Sequence, residues 1–275
     1  KAYQAHVAKM LELASLETKG ASKAAATVLK IETDLANGMM TKEERRNPDK
    51  RYNKRAVSEL GKLVPAVDWK NYLSELNLSV DSVIVSDLGY LSAVQKVLST
   101  TPLADVKTYL RWRLVDRAAG LLHYDVVKQD FDFNTKYLRG IDAMRPRWKR
   151  VLDITNGTLG EAIGKLYVEK NFPPEAKEKA MQMVENIKLA FADRIKKLEW
   201  MSDSTKEKAL NKLSTFTVKI GYPDEWRDYS KLVVDKNPET SSFAGNVMNG
   251  QRFNFERQIE KLGKPVDRKE WRMNP

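Results

Sequence analysis

The chain has no cysteine and only two histidines among 275 residues. Without thiols there is no disulfide framework and no thiolate metal site. The histidines, His6 and His123, lie far apart in the chain. The H-E-x-x-H pattern, two zinc ligands four apart on a helix with a glutamate general base between them, is therefore missing. No apolar run approaches the ~20 residues that a membrane-spanning helix needs, so no transmembrane segment is expected. The phosphate-cradling patterns G-x-x-x-x-G-K-[ST] and G-x-G-x-x-G are also missing: Gly157, Gly160 and Gly164 are wrongly spaced and fall inside a helical pattern. There is no G-x-S-x-G nucleophile elbow. No residue is nominated as catalytic or as a metal ligand, substrate-binding residues stay unknown, and His6 and His123 read as surface or capping side chains.

Charge, by contrast, is plentiful. Forty-eight bases face 37 acids for a net charge of +11, but the two signs are interleaved, which is the look of solvated helix faces. No nucleic-acid partner is expected on that ground. Two basic clusters bear on this. Arg45, Arg46, Lys50, Arg51, Lys54 and Arg55 fall in a polar stretch with Asn47-Pro48 and read as an exposed connector. Arg145, Arg147, Lys149 and Arg150 surround Trp148, a mixture that single-strand binders use, yet helical spacing turns Trp148, Val151 and Leu152 inward. The acid pairs Asp130 with Asp132 and Asp224 with Glu225 are what 37 carboxylates produce by chance, and they carry no hydrolase signal. The triplets Asn77-Leu78-Ser79 and Asn156-Gly157-Thr158 match the N-glycosylation pattern, which arises often by chance and carries little weight.

Hydrophobic spacing points to a mainly α fold: a multi-helix lobe of long amphipathic helices with a few short strands. Residues 1–36 read as a helical hairpin broken at Gly20, with Tyr3, Val7, Met10 and Ala14 on one face and Ala24, Val28, Ile31 and Leu35 on the other. Asn37-Gly38 is expected to end the second helix through a left-handed glycine. Val57–Val64 suggests a short helix, and Asp68 a cap for another with Trp69, Tyr72, Leu73 and Leu76 facing inward. Val83-Ile84-Val85 suggests a small strand. Tyr90 to Leu98 is helical. Thr101-Pro102 then reads as cap and first residue of the clearest helix, with Leu103, Val106, Leu110, Leu114, Ala118 and Leu121 as its inner stripe. Phe131, Phe133, Tyr137 and Leu138 form an aromatic cluster. A helix follows from about Arg147 to Asn171, with an irregularity at Asn156-Gly157, and in it Gly160 and Gly164 share a face and admit a second backbone. After Phe172-Pro173-Pro174 comes a long helix with Ala180, Val184, Ile187, Phe191, Ile195 and Leu198 inside. Ser202 or Asp203 caps the next helix, Phe216, Val218 and Ile220 suggest an extended segment, and Ser241–Val247 a short helix. No internal repeat and no Gly/Ser-rich linker divides the chain.

Four blocks of residues, in order, resemble the neprilysin and endothelin-converting-enzyme family of zinc endopeptidases. They are Tyr109-Leu110-Arg111-Trp112-Arg113; Arg147-Trp148-Lys149-Arg150 with Gly160 to Val168 and Phe172; Leu198-Glu199-Trp200-Met201 through Lys206 to Ile220-Gly221-Tyr222-Pro223-Asp224; and Val266-Asp267 with Glu270-Trp271. The resemblance implies that residues 1–275 are an interior segment of the family's N-terminal, mostly helical region. That region encloses the substrate cavity and restricts substrate size. The family's pattern continues, beyond anything present here, into Asn-Ala-x-Tyr, H-E-x-x-H and Glu-x-x-x-Asp. The catalytic zinc domain is therefore expected C-terminal to Pro275, and no family site residue maps onto this sequence. The resemblance further implies zinc in the complete enzyme with none bound by this segment, and peptide substrates and the missing catalytic part as partners. Animal members are disulfide-rich, so a cysteine-free chain looks bacterial, placed in the cell envelope or secreted, with the cytoplasm as alternative. The sequence begins at Lys1 without methionine, which is expected of a removed leader or an upstream trim. The competing reading is a stand-alone helical binding or scaffold protein derived from that family without catalysis.

Overall fold

A computed structural model describes residues 1–16 and 19–273; Asn274-Pro275, where the family's pattern would run on, lies outside them. The described chain forms two compact units, residues 1–144 and 145–275, and is mainly α.

The N-terminal unit begins with the expected hairpin, α1 (Ala2–Leu13) and α2 (Ala21–Ala36). Gly20 precedes α2 at φ +100°, a conformation that glycine adopts without a side-chain clash. Val7, Met10 and Leu11 of α1 meet Ala24, Ala25 and Val28 of α2, where the alanines let the helices approach closely. The chain then passes through a 3₁₀ turn (Glu44–Arg46), α3 (Pro48–Arg51), β1 (Asn53–Ala56), α4 (Val57–Leu63), α5 (Trp69–Glu75) and β2 (Ser82–Val85). β1 and β2 pair antiparallel, Asn53 opposite Val85 and Ala56 opposite Ser82. β2 was expected; β1 lies in the polar stretch read as a connector, because Asn-Lys-Arg-Ala has no apolar alternation to announce it. Asn47, Asp68 and Asp87 cap α3, α5 and α6 (Leu88–Thr100) by accepting backbone N–H bonds. Tyr72 faces solvent rather than the interior.

Gly38 does not take the expected left-handed conformation. A Cβ there would stand 2.6 Å from the Ala93 Cβ and 2.7 Å from the Gly89 carbonyl oxygen. Its small size serves a close approach to α6, where Ile31 and Leu35 pack on Ala93 and Val97.

α7 (Leu103–Ala118) is present, but its inner face differs from the expected one. Leu103, Leu110 and Leu114 are exposed, while Trp112 and Val115 are buried with Ala119 of the following 3₁₀ turn (Ala119–Leu121) and Val126 of α8 (Tyr124–Asp130). The large indole claims the interior. Its N–H donates to Glu32 Oε1 at 3.3 Å, and the Tyr3 hydroxyl donates to Oε2, so one carboxylate satisfies two donors of the core. Pro102 rather than Thr101 occupies the cap position of α7 and makes no side-chain cap. A π-helical turn, Phe131–Tyr137, follows α8.

The C-terminal unit contains α9 (Arg147–Asn171), α10 (Pro174–Lys196), α11 (Asp203–Ser214) and α12 (Phe243–Ile259). α9 kinks at Leu159 (φ −116°, ψ 24°), close to the irregularity expected at Asn156-Gly157. Gly160 and Gly164 are both buried there, as their shared face predicts. α12 crosses α9 at Gly250, where an added Cβ would lie 2.2 Å from the Thr158 methyl. α12 starts at the Ser242 cap and runs twelve residues beyond Val247, the end expected for it. Of the inner stripe expected on α10 only Ile195 is buried; Ile187 and Phe191 are exposed. Residues 216–220 join no ladder.

Candidate functional site

A cavity of about 700 Å³ lies within the C-terminal unit. Three of the four sequence blocks contribute to its wall: Glu161 from α9, Ile220, Tyr222 and Asp224 from the loop after α11, and Asp267, Glu270 and Trp271 from the final segment. Arg257 of α12 and Arg227 are among the cations of its strongly charged lining.

The loop is shaped by Gly221. Its φ is +73°, and an added Cβ would sit 2.7 Å from the Phe172 ring, so two independent constraints require glycine here. Tyr222 then stands edge-on to Phe172 (5.9 Å) and parallel to Trp226 (6.0 Å). The Lys177 ammonium lies 4.2 Å from the Tyr222 ring centroid, donates to the Tyr222 carbonyl at 2.8 Å and pairs with Asp224 at 2.7 Å. Lys177 holds the exposed Asp224 carboxyl below its ordinary range.

Glu161 is 6% exposed, the one buried carboxylate of this unit among the described residues. Its Oε1 meets Arg227 Nη2 at 2.9 Å, and its Oε2 accepts the Arg227 backbone N–H at 2.8 Å. At the α9 kink the Glu161 N–H donates to the Tyr229 hydroxyl oxygen at 3.3 Å, and Tyr229 stacks on Phe253. Glu270 receives Arg257 of α12 at 2.7 Å and the Lys261 ammonium from the turn after it, and the Lys219 ammonium donates to its backbone carbonyl. Lys261, and then Arg257, hold the Glu270 carboxyl below its ordinary range against the opposing effect of burial. Chemically this is a lattice of matched charges that fixes a loop and a chain segment.

The residues weighed from sequence fall elsewhere. His6 is not on the surface: it is 3% exposed, stacked on Phe133 at 4.4 Å and edge-on to Trp112 at 5.8 Å, with Gln129 beside Nδ1 at 3.3 Å. Burial lowers its pKa, with Asp130 and Asp116 opposing. His123 is exposed, precedes α8 and places Nε2 3.1 Å from the Leu13 carbonyl. Asp130 accepts from Asn134 and Asp132 pairs with Lys128; Asp224 and Glu225 pair with Lys177 and Lys269 respectively. None of these acids is paired with its sequence neighbour. Trp148 is 63% exposed, with Lys149 over its ring, so it does not face inward as its spacing suggested. Glu161 and Arg227 were not singled out for chemistry; the one signal was that Glu161 lies between two glycines on a crowded helix face. Among the described residues no group of histidine, aspartate and glutamate is placed to hold a metal ion, so zinc does not fit any cluster here. No helix among them is long and apolar enough to cross a membrane.

The family model of peptidase family M13, for its N-terminal part, matches residues 1–223. Neprilysin-11 of Caenorhabditis elegans is 28% identical over 292 aligned residues, covering 99% of this chain and 34% of its own length. Neprilysin-2 of Drosophila melanogaster is 31% identical, covering 88% and 34%. The chain thus spans about a third of the length of these relatives. Among solved structures, the zinc metalloprotease Zmp1 of Mycobacterium tuberculosis in its open state superposes over 100% of this chain and 42% of that one, with a TM-score of 0.87 and 35% identity.

Proposed function

Because the chain belongs to peptidase family M13, as part of its N-terminal domain, we propose that it is the non-catalytic helical portion of a neprilysin-like zinc metalloendopeptidase that cleaves peptides. In this reading the segment encloses the substrate cavity of the complete enzyme and restricts substrate size. Bound zinc would activate a water for attack on a peptide carbonyl, and no residue of this chain takes part in holding it. The residues 1–275 would be an interior segment of the family's N-terminal region, with the catalytic zinc domain following it. Peptides and that catalytic part are its partners, and a bacterial envelope or secreted location is proposed over the cytoplasm.

The observation that carries the reading is the convergence of three sequence blocks on one wall of structural ion pairs, within a fold that matches a zinc metalloprotease along its whole described length. Exposed apolar side chains within each unit favour the same reading: Leu103, Leu110 and Leu114 on α7, and Met183, Ile187 and Phe191 on α10. Surfaces of this kind mark contacts with further protein. The test is peptide cleavage by the complete protein, with substrates from short peptides to folded proteins, before and after chelation. Chelator-sensitive cleavage confined to peptides supports the proposal. Zinc-independent behaviour, or equal cleavage of folded proteins, contradicts it.

A further inference from the structure

The final segment of the C-terminal unit, Lys264 to Met273, has no regular secondary structure beyond its first turn, and Val266 is 82% exposed. Apolar packing does little to hold it. What holds it is charge, and the charges come from two directions. Arg257 lies in the last turn of α12 and Lys261 in the turn that follows the helix, and both reach the Glu270 carboxylate. From the segment after α11, the Lys219 ammonium donates to the Glu270 backbone carbonyl. Lys269, one residue away, makes only an exposed pair with Glu225 at 3.3 Å, and such pairs contribute little. Glu270 differs: its side chain is 14% exposed, against 80% for Glu225. Two cations on a largely buried carboxylate form charge-assisted bonds of fixed direction.

We infer that Glu270 is a positioning residue: clamped by Arg257, Lys261 and Lys219, it fixes the path of the chain as it leaves this unit. Resting on the proposed function, the consequence is that the clamp sets how this unit joins the proposed catalytic part, and so how that part meets a peptide. Misplacement by an ångström is enough to weaken peptide binding substantially. Glu270 touches no substrate in this account.

The experiment uses the complete protein with Glu270→Gln, which keeps shape and removes charge, and Lys219→Met, which frees the backbone carbonyl and spares the carboxylate. The expected result for Glu270→Gln is a peptide KM raised about fivefold, with kcat and bound zinc within about twofold of the parent. Amide hydrogen exchange across residues 264–273 should quicken about tenfold while the α9 amides are unchanged. Lys219→Met should move both readouts in the same direction by less, and Glu270→Asp should restore part of the KM. An unchanged KM, or equal loss of kcat and zinc at constant KM, overturns the inference, as does unchanged exchange. If the parent protein cleaves no peptide, the peptidase reading fails on its own, and the exchange measurement still decides whether Glu270 is the anchor.

Discussion

The two units reach a folded state by different routes. In residues 1–144, apolar side chains from α1, α2, α7 and α8 close around Trp112, and a second cluster joins α2 to α6. In residues 145–275, the buried large apolar side chains among the described residues are Ile195, Leu213 and Phe253, and the best-satisfied buried group is a carboxylate, Glu161. The first unit is therefore stabilised chiefly by burial of apolar area. The second depends on directional polar contacts and leaves much apolar surface on α9 and α10 facing outward. A sparse core held together with charge, beside outward-facing apolar side chains, suits the packing of further protein that the proposed function requires.

Six substitutions and one titration would break or sharpen that contrast. The largest effect belongs to Trp112→Ala, which should lower the stability of the N-terminal unit by about 3–5 kcal/mol, the range for removing a large buried aromatic; denaturant unfolding of the purified chain reads it. Next comes Glu161→Gln, expected to weaken the C-terminal unit by about 3 kcal/mol because it leaves Arg227 without its carboxylate. Replacing both partners, Glu161→Gln with Arg227→Met, should recover most of that loss; a double variant no better than the single one would mean that the pair is not the centre of the unit. Gly221→Ala should follow, at about 1–3 kcal/mol, because it forces a side chain into the left-handed region and against the Phe172 ring.

The pH dependence is expected to separate the units. His6 has its pKa lowered from 6.5 by burial. The unfolded chain therefore binds the proton first, so the stability due to neutral His6 is complete above about pH 6.5 and is lost as pH falls toward the folded value. Glu270 has its pKa lowered from 4.5 by Lys261 and Arg257. Its contribution persists above about pH 4.5 and is lost only as pH falls through the folded value. On acidification the N-terminal unit should begin to weaken first, and His6→Gln should flatten that early phase, as followed by thermal melts from pH 7 downward. The smallest effect is Ile187→Ser on the exposed face of α10, expected to stay within about 0.5 kcal/mol in the isolated chain.

Helix existence was legible because stripes at three- and four-residue spacing run through nearly every element. Which side of a stripe is buried was not. On α7 the leucines gave a cleaner pattern than Trp112, Val115 and Ala119, yet the latter are inside. A single helix facing both a core and a further protein surface carries two apolar faces, and periodicity cannot rank them. β1 was invisible because its pairing with β2 comes from the backbone, with no apolar alternation. The cavity was half legible: Ile220–Asp224 and Val266–Trp271 stood out as blocks, but their meeting is a tertiary fact that spacing does not encode. Glu161 is one acid among 37, and only the fold distinguishes it by burying it opposite Arg227.

The most direct test of the central claim is a peptide-cleavage assay of residues 1–275 with zinc, alone and after mixing with the remainder of the same protein. The chain alone is expected to cleave nothing, and the mixture to cleave peptides until a chelator is added. Chelator-sensitive cleavage by residues 1–275 alone would contradict the account.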